Sequence, residues 1–366
     1  MAAGSPPPDP DTYAAAGVDT AAASGALAGL LRWVNATTAL RPGEVRLPNG
    51  YFANVVAVGV NLGIAISTDG VGTKLLVAQQ MGKYDTVGID CVAMNVNDVL
   101  CVGAEPVALV DYVAVERPDA ALLETLGQGL HEGARQARVT IPGGELAQVP
   151  ELLHHTPGLS SFDLVATAIG TVPLDRVLVG QDIADGDVVI GLASSGIHSN
   201  GLTLARRVLL GDDPRRLAER VPDLGRTLGE ELLEPTRIYV QPVLAMLAAG
   251  LPIKALAHIT GDGLFNLTRV AAPVSFHLAR LPEPPPIFRL IRARGRVAPG
   301  EMYRTFNMGI GFCVVVAPEG VAGVLDLAAD HGQLAWELGH ARADGRRRIE
   351  LPTLGLVGEG GAFRPA

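Results

Sequence analysis

The chain has 366 residues, a formal net charge of −9 and a sequence pI near 5.4. This length can bury a large core and favours two domains. The acidic balance, without an aromatic-interleaved basic patch, argues against nucleic-acid binding. The three cysteines lack metal-ligand spacing, and neither a secretion signal nor an uninterrupted apolar run of membrane-spanning length is visible. We therefore expect a cytoplasmic protein with reduced cysteines and no membrane partner.

Strands and helices alternate along the chain, after a stretch at 1–12 whose composition is typical of a disordered tail. We predict an α/β (α+β) fold, with one domain at 13–172 and a second at 173–366. The predicted helices are 21–34, 75–81, 86–102, 119–137, 202–210, 230–249 with a break at Pro235, 264–271 and 319–331. The predicted strands are 54–60, 63–67, 106–115, 139–141, 164–172, 188–193, 255–259, 309–316 and 348–351.

A loop with the sequence S-T-D-G-V-G-T-K follows the second predicted strand and ends at Lys74. Gly70 and Gly72 tolerate positive φ and let backbone N–H groups approach a ligand, and Thr73 is placed to cap the next helix. Asp69 is suited to hold Mg²⁺, and Lys74 to contact phosphate oxygens. The loop therefore predicts a phosphate and metal site, although its spacing differs from that of a Walker A motif.

The predicted helix at 86–102 carries polar side chains within an apolar segment. Asn95 and Asp98 are three residues apart and lie on one helical face, with Asn97 between them. Such groups are costly to bury unless something satisfies them. Two explanations stay open: a helix end that reaches solvent, and a metal or phosphate site.

Further polar segments follow other predicted strands. Gly143, Gly144 and Glu145 come after the short strand at 139–141, and S-S-G-I-H-S-N-G occupies 194–201 before a helix. His198 has many possible hydroxyl and anion partners in that loop. The motifs G-x-S-x-G, C-x-x-C and H-E-x-x-H are absent from the sequence, so covalent catalysis is not indicated.

Taken in order, these segments resemble the aminoimidazole ribonucleotide synthetases, the phosphoribosylformylglycinamidine cyclo-ligases of purine biosynthesis. The resemblance is collinear over nearly the whole chain. It includes Y-A-A-A-G-V-D at 13–19, T-D-G-V-G-T-K at 68–74, D-T-V-G-I-D-C-V-A-M-N-V-N-D at 85–98, G-A-E-P at 103–106, G-G-E at 143–145, D-G-D at 185–187, S-S-G-I-H-S-N-G at 194–201, L-E-P-T-R-I-Y at 233–239, H-I-T-G at 258–261 and E-M-Y-R-T-F-N at 301–307.

The resemblance implies a homodimer of two-domain subunits. The N-terminal domains would form a shared β-barrel with ATP in a cleft near that interface, and the C-terminal domain would contain a mixed or antiparallel sheet. It also implies the reaction: ATP phosphorylates the amide oxygen of formylglycinamidine ribonucleotide, and the amidine nitrogen attacks the activated carbon to close the imidazole ring. Phosphoryl transfer of this kind depends on positioned cations more than on nucleophiles.

Residue roles follow from the resemblance, position by position. The implied Mg²⁺ ligands are Asp69, Asp98 and Glu145. The implied ATP and phosphate contacts are Asp69, Gly70, Gly72, Thr73, Lys74, Asn97, Asp111, Gly143 and Gly144. The implied substrate contacts are Ser195, Gly196, His198, Ser199 and Asn200, with Lys74 and His198 as the catalytic pair.

Some positions depart from the family pattern. Leu146 replaces a usual threonine, Asp262 a usual glycine, and Asn95 a usual apolar residue or cysteine, while 47–53 lacks the usual glycine-rich character. Asp262 either adds a carboxylate near phosphate or caps the helix at 264–271, and we favour the cap. Two other functions stay open: a related ATP-dependent enzyme of the same superfamily with another small substrate, and a non-catalytic nucleotide-binding dimer.

Overall fold

The structure is a computed structural model that describes residues 12–17, 20–153 and 161–366, and only the backbone of 20–24. The predicted tail at 1–12 therefore lies almost wholly outside the described residues. Within the described ranges, no helix combines the length and hydropathy needed to cross a bilayer.

The N-terminal half is built on one mixed sheet. Its elements are α1 (Thr20–Ala36), β1 (Asn54–Ala57), β2 (Gly63–Gly70), α2 (Lys74–Met81), α3 (Asp85–Leu100), β3 (Glu105–Val115), α4 (Ala120–Ala137), β4 (Gly144–Gln148) and β5 (Phe162–Val172). The strand order is β1-β2-β5-β3-β4, and only the β3–β4 pair is parallel. α3 packs on one face of this sheet and α4 packs on α3.

Apolar periodicity and glycine explain how α3 and α4 come together. On α4, Leu122, Leu126 and Leu130 are buried at the predicted four-residue spacing, and Asp119 caps the helix by accepting from two backbone N–H groups. Gly88 of α3 faces Gly129 of α4 so closely that a Cβ on either would overlap the backbone of the other helix. The two helix axes can approach only because both side chains are absent.

The C-terminal half is built on a larger mixed sheet. Its elements are β6 (Val188–Ala193), α5 (Leu202–Leu210), β7 (Arg220–Val221), β8 (Arg226–Thr227), α6 (Leu228–Leu232), α7 (Val240–Ala248), β9 (Ile253–His258), β10 (Ser275–His277), α8 (Pro286–Gly295), α9 (Pro299–Thr305), β11 (Ile310–Val316), α10 (Val321–Asp330), β12 (Ala335–Arg342), β13 (Ile349–Leu351), β14 (Leu356–Glu359) and β15 (Ala362–Pro365). The eight strands run β15-β14-β13-β10-β12-β6-β11-β9, with every residue of β11 buried.

The α/β (α+β) prediction is confirmed, and two element predictions are wrong. Residues 139–141 form no strand, since only Thr140 bridges to β3, and the sheet instead gains β4 from Gly144 onward. The break predicted at Pro235 within 230–249 is confirmed, although it is wider than one residue: α6 ends at Leu232 and α7 begins at Val240. The helix predicted at 264–271 is a 3₁₀ helix, Gly263–Arg269. The domain boundary at 172–173 stays a prediction.

Candidate functional site

One row across the N-terminal sheet places two carboxylates on either side of Ala166. Asp69 of β2 pairs in register with Ala166 of β5, Ala166 with Asp111 of β3, and Asp111 with Gly144 of β4. At the usual strand spacing, the Cα atoms of Asp69 and Asp111 are about 10 Å apart. A Cβ on Gly144 would overlap the Asp111 carboxylate, so that glycine leaves room for the charge. Burial raises the pKa of Asp111.

Asp69, the next-to-last residue of β2, is held by polar groups of α3. Its backbone N–H donates to Asn95 Oδ1 at 2.9 Å, and Asn95 Nδ2 donates back to its carbonyl at 3.1 Å and to Cys91 O at 2.8 Å. The Gly70 N–H donates to Asp69 Oδ1 at 2.8 Å. Burial, and then the negative charge of Asp98, raise the pKa of Asp69 to about 6. A cation between these two carboxylates would relieve both costs.

Asp98 and Asn97 connect α3 to the C-terminal half. His258, at the buried end of β9, lies with Nδ1 2.9 Å from Asp98 Oδ1. Asn97 Nδ2 donates to the carbonyl of Arg237 at 2.9 Å, and its Oδ1 accepts from the Tyr239 N–H at 3.0 Å. The polar residues of α3 are therefore satisfied mainly by backbone groups and by one histidine. Neither a helix end in solvent nor a ligand is needed to explain Asn95 and Asn97.

Lys74 lies in a closed, fully buried ion pair. Its Nζ is 2.8 Å from Asp90 Oδ2 and donates to the carbonyl of Glu234 at 2.5 Å. Asp90 Oδ1 also accepts from the Thr236 N–H at 2.7 Å, the Thr236 hydroxyl at 2.6 Å and the Ser199 hydroxyl at 3.1 Å. These bonds join α2 and α3 to two loops of the C-terminal half. In this arrangement the Lys74 amine faces no open space.

The loop that contains His198 is held from several sides. Asn307 Nδ2 donates to the carbonyls of Gly196 and Ile197 at 2.9 and 3.1 Å, and the Ser195 hydroxyl donates to Pro235 O at 2.5 Å. His198 has a positive φ of 66°, and its Nε2 accepts from the Ser195 N–H at 3.2 Å. Burial, then the positive charges nearby, hold the pKa of His198 well below its usual range. The imidazole is therefore neutral, with its proton on Nδ1.

Two expected helix caps are absent. Thr73 directly precedes α2, yet its hydroxyl lies 3.0 Å from the Thr203 hydroxyl of α5 and makes no capping bond. Asp262 precedes the 3₁₀ helix without capping it, because its carboxylate pairs with Arg269 at 2.8 Å. Gly72 has the expected positive φ, 71°.

The structure brings together only some of the predicted ligands. Asp69, Gly70 and Asp98 lie together, and Asp111 lies two strands away from Asp69, on the other side of β5. Glu145 pairs in register with Tyr112, so its side chain projects from the opposite face of the sheet to the Asp111–Gly144 pair. Among the residues that the structure describes, no three His, Cys, Asp or Glu side chains converge as a metal site. Mg²⁺ is commonly held by one or two carboxylates together with phosphate oxygens, so Asp69 and Asp98 fit that ion without a third.

Sequence reasoning missed three contributors to this region. His258 was detectable as the polar end of a buried strand, in the segment H-I-T-G. Asp90 and Thr236 gave little signal, because their contact spans 146 residues of chain. Of the implied substrate contacts, Ser199 reaches Asp90, and Asn200 is half-buried beside Gly261.

Two family matches identify the class of protein. The N-terminal domain of the AIR synthase related proteins matches residues 51–172, and their C-terminal domain matches residues 184–352. The chain is therefore an AIR synthase related protein in both halves.

Curated relatives narrow this class. The phosphoribosylformylglycinamidine cyclo-ligase of Methanothermobacter thermautotrophicus is 52% identical over 281 residues, which cover 77% of this chain and 81% of the relative. That of Thermococcus kodakarensis is 47% identical over 342 residues, which cover 93% and 98%. The chain belongs to the phosphoribosylformylglycinamidine cyclo-ligase family, a family of ligases, and the resemblance inferred from the motifs is confirmed.

Solved structures support the fold alone. A thiamine-monophosphate kinase from Stenotrophomonas maltophilia superposes with a TM-score of 0.59 at 21% identity, over 89% of this chain and 95% of that one. A hydrogenase maturation protein HypE superposes with a TM-score of 0.56 at 18% identity, over 83% and 88%.

Proposed function

We propose that this protein closes the imidazole ring of aminoimidazole ribonucleotide in purine biosynthesis, using ATP and formylglycinamidine ribonucleotide. The observation that carries the proposal is the 47% identity to a cyclo-ligase over 98% of that relative's length. The half-buried pair of Asp69 and Asp98 beside a glycine loop supports it, because phosphoryl transfer requires fixed charges around the phosphates.

The chemistry divides between the ligand groups and the residues around them. ATP phosphorylates the amide oxygen, the amidine nitrogen attacks the activated carbon, and phosphate leaves. Mg²⁺ would supply neutralising charge at the phosphates, held by Asp69 and Asp98. His258 fixes the orientation of the Asp98 carboxylate. The backbone N–H group at Gly72 would face the phosphates, with Thr73, Asp111 and the glycines at 143 and 144 around them. The Gly70 N–H and the Asn97 amide would act indirectly, because they hold Asp69 and the backbone of Arg237 and Tyr239.

Lys74 and His198 act in this proposal by holding the site together. The Lys74–Asp90 pair fixes the Ser199 hydroxyl and the Thr236 segment, and the neutral His198 ring fixes the backbone of Ser195. A phosphate would reach Lys74 only after this ion pair opens. The substrate would lie against the loop at 195–200, as the resemblance implies.

We also propose a homodimer formed through the outer face of the N-terminal sheet. Ile66, Ile169, Val110 and Tyr112 lie on three adjacent strands and are each 37–46% exposed, with no described element covering them. An exposed sheet face with apolar residues on three adjacent strands is typical of an interface, and the two threonines on this face, Thr68 and Thr167, bond to each other at 2.8 Å. Glu145 projects from the same face, so a second copy would bring it to the interface.

A cytoplasmic location is part of the same proposal. Three free, buried cysteines support it, because disulfides are rare in reducing compartments.

One assay tests the proposed reaction. Purified protein is mixed with ATP, Mg²⁺ and formylglycinamidine ribonucleotide, and aminoimidazole ribonucleotide and ADP are measured together. We expect both products in equal amounts. Substrate-dependent ADP without the ring product would indicate another acceptor, and ATP binding without turnover would indicate a nucleotide-binding dimer.

A further inference from the structure

A groove of about 350 Å³ lies between α2 and α5, outside the carboxylate site. Gln80 of α2, Thr203 of α5 and Gly211 after α5 all line it, and the Thr203 hydroxyl lies 3.0 Å from the hydroxyl of Thr73. The groove volume falls within the range typical of small-ligand pockets. Its α5 side is formed by residues three, four and seven positions after Thr203, which share one helical face.

Arg206, three residues after Thr203, supplies an uncompensated positive charge to this groove. Its side chain is half-buried, and its Nε is enclosed without a hydrogen-bond partner. Within the described parts of the chain, no carboxylate pairs with it. Burial alone lowers the pKa of Arg206 from its usual value. A buried guanidinium normally has an anion or several acceptors around it.

Two other charged side chains, Arg207 and Asp212, line the groove. Arg207 donates from Nη1 to the carbonyl of Ala15, which ties the 12–17 segment to α5. Asp212 also lines the groove, but no hydrogen bond or ion pair joins it to Arg206. The Asp212 carboxylate at this rim would repel an anion. The Arg206 guanidinium, the Thr203 hydroxyl and the Gln80 amide would bind one.

We propose that the groove between α2 and α5 binds a phosphate dianion, free or as a sugar phosphate, through Arg206 with Thr203 and Gln80. A guanidinium presents two parallel N–H donors to phosphate oxygens, and the hydroxyl and amide satisfy the remaining oxygens. The site goes beyond the proposed reaction and does not depend on it.

Calorimetric titration of the full chain with inorganic phosphate and with ribose 5-phosphate, without ATP or Mg²⁺, tests this site. The Arg206→Met substitution keeps the length of the side chain and removes the guanidinium. Arg289→Gln removes the same charge from an exposed position on α8 and serves as the matched control. We expect Arg206→Met to weaken binding at least about tenfold, Arg289→Gln to leave it unchanged, and Asp212→Asn to strengthen it.

The two probes distinguish the source of the phosphate. Tighter binding of ribose 5-phosphate would assign a sugar-phosphate site, and equal or tighter binding of inorganic phosphate a site for the free ion. Failure of both to bind the wild type below about 10 mM, or equal binding by the Arg206→Met and Arg289→Gln variants, would overturn the proposal. If circular dichroism shows that Arg206→Met does not fold, Arg206→Lys decides: weaker binding supports the site and unchanged binding overturns it. Turnover in the cyclo-ligase assay is scored separately, so either proposal can fail alone.

Discussion

At the scale of single residues, the polar groups of α3 and of the loops around it have different structural roles, although they are close in sequence. Asn95 and Asn97 satisfy backbone groups, whereas Asp98 pairs with His258, and its charge together with burial raises the pKa of Asp69. Asp90, between them and Lys74, neutralises a buried amine. The residue type alone did not separate these roles, because each depends on a partner from another element.

The carboxylate pair should control the chemical step. We expect Asp69→Asn or Asp98→Asn to lower turnover by at least ~100-fold at saturating ATP, the loss typical of groups that support a metal. Steady-state kinetics with varied Mg²⁺ checks this. Glu319→Gln, on the exposed turn before α10, is the control and should keep wild-type turnover. Full activity of either folded aspartate variant would refute the metal assignment.

The Lys74–Asp90 pair should show strong coupling in a double-mutant cycle. Asp90→Asn leaves a buried ammonium without its counter-charge, and we expect it to lower the free energy of unfolding by about 3–5 kcal/mol. Adding Lys74→Met should recover part of that loss, because the unpaired charge is removed. Urea denaturation of the two single variants and the double variant measures the coupling. Strictly additive effects would show that the two side chains do not interact.

His198 should make stability depend on pH. Its folded-state pKa is lowered, so its contribution is fully present above pH ~6.5 and is lost as pH falls below that value. His198→Asn removes the titrating ring and keeps a residue that tolerates positive φ. We expect the variant to lose less stability than the wild type between pH 7 and pH 5. Parallel pH profiles of the unfolding free energy would contradict this role.

At the scale of elements, sequence patterns predicted those parts that local rules determine. The period of Leu122, Leu126 and Leu130 predicted α4, and Gly82 ends α2 as expected. The break at Pro235 was predicted, but the full extent of the irregular segment at 233–239 was not. Its backbone is held by groups far away in the chain, such as Asn97, 140 residues from Arg237. The strand β4 was displaced for a similar reason: its edge position depends on pairing with β3.

The contact between α3 and α4 should be intolerant of one methyl group. We expect Gly129→Ala to lower the free energy of unfolding by about 1–3 kcal/mol or more, because the Cβ would overlap the Asp85 carbonyl. Gly127→Ala, on the open side of the same helix, should instead stabilise the protein by up to ~1 kcal/mol. Chemical denaturation of both variants provides the comparison. Equal effects would exclude close packing as the cause.

At the scale of the whole molecule, one set of buried polar contacts joins the N-terminal half to the C-terminal half. The N-terminal sheet presents Asp69 and Asp111 on its covered side, and mainly apolar residues together with Glu145 on its other side. The family and the fold could be inferred from collinear motifs, since these survive as sequence. The closed state of Lys74 could not, because it depends on the relative placement of the two halves.

The proposed dimer should depend on the outer sheet face. We expect the wild type to sediment at twice its 38.0 kDa chain mass, and Ile169→Lys at the mass of a single chain, because a buried unpaired ammonium opposes association. Leu354→Lys, which also replaces an exposed apolar residue, should remain dimeric. Sedimentation equilibrium at micromolar concentration gives the masses. A monomeric wild type would rule out this interface.

The ion pair that joins the two halves also affects how the chain folds during synthesis. Lys74 and Asp90 leave the ribosome long before Thr236 and Glu234, which complete their hydrogen bonds. The N-terminal sheet therefore emerges with a charged pair that is still solvated, and its last layer of packing waits for more than 140 further residues. A gene split between the two sheets would yield an N-terminal fragment in which the charges of Lys74 and Asp90 stay solvated. For this reason we expect the halves to fold efficiently only as one nascent chain.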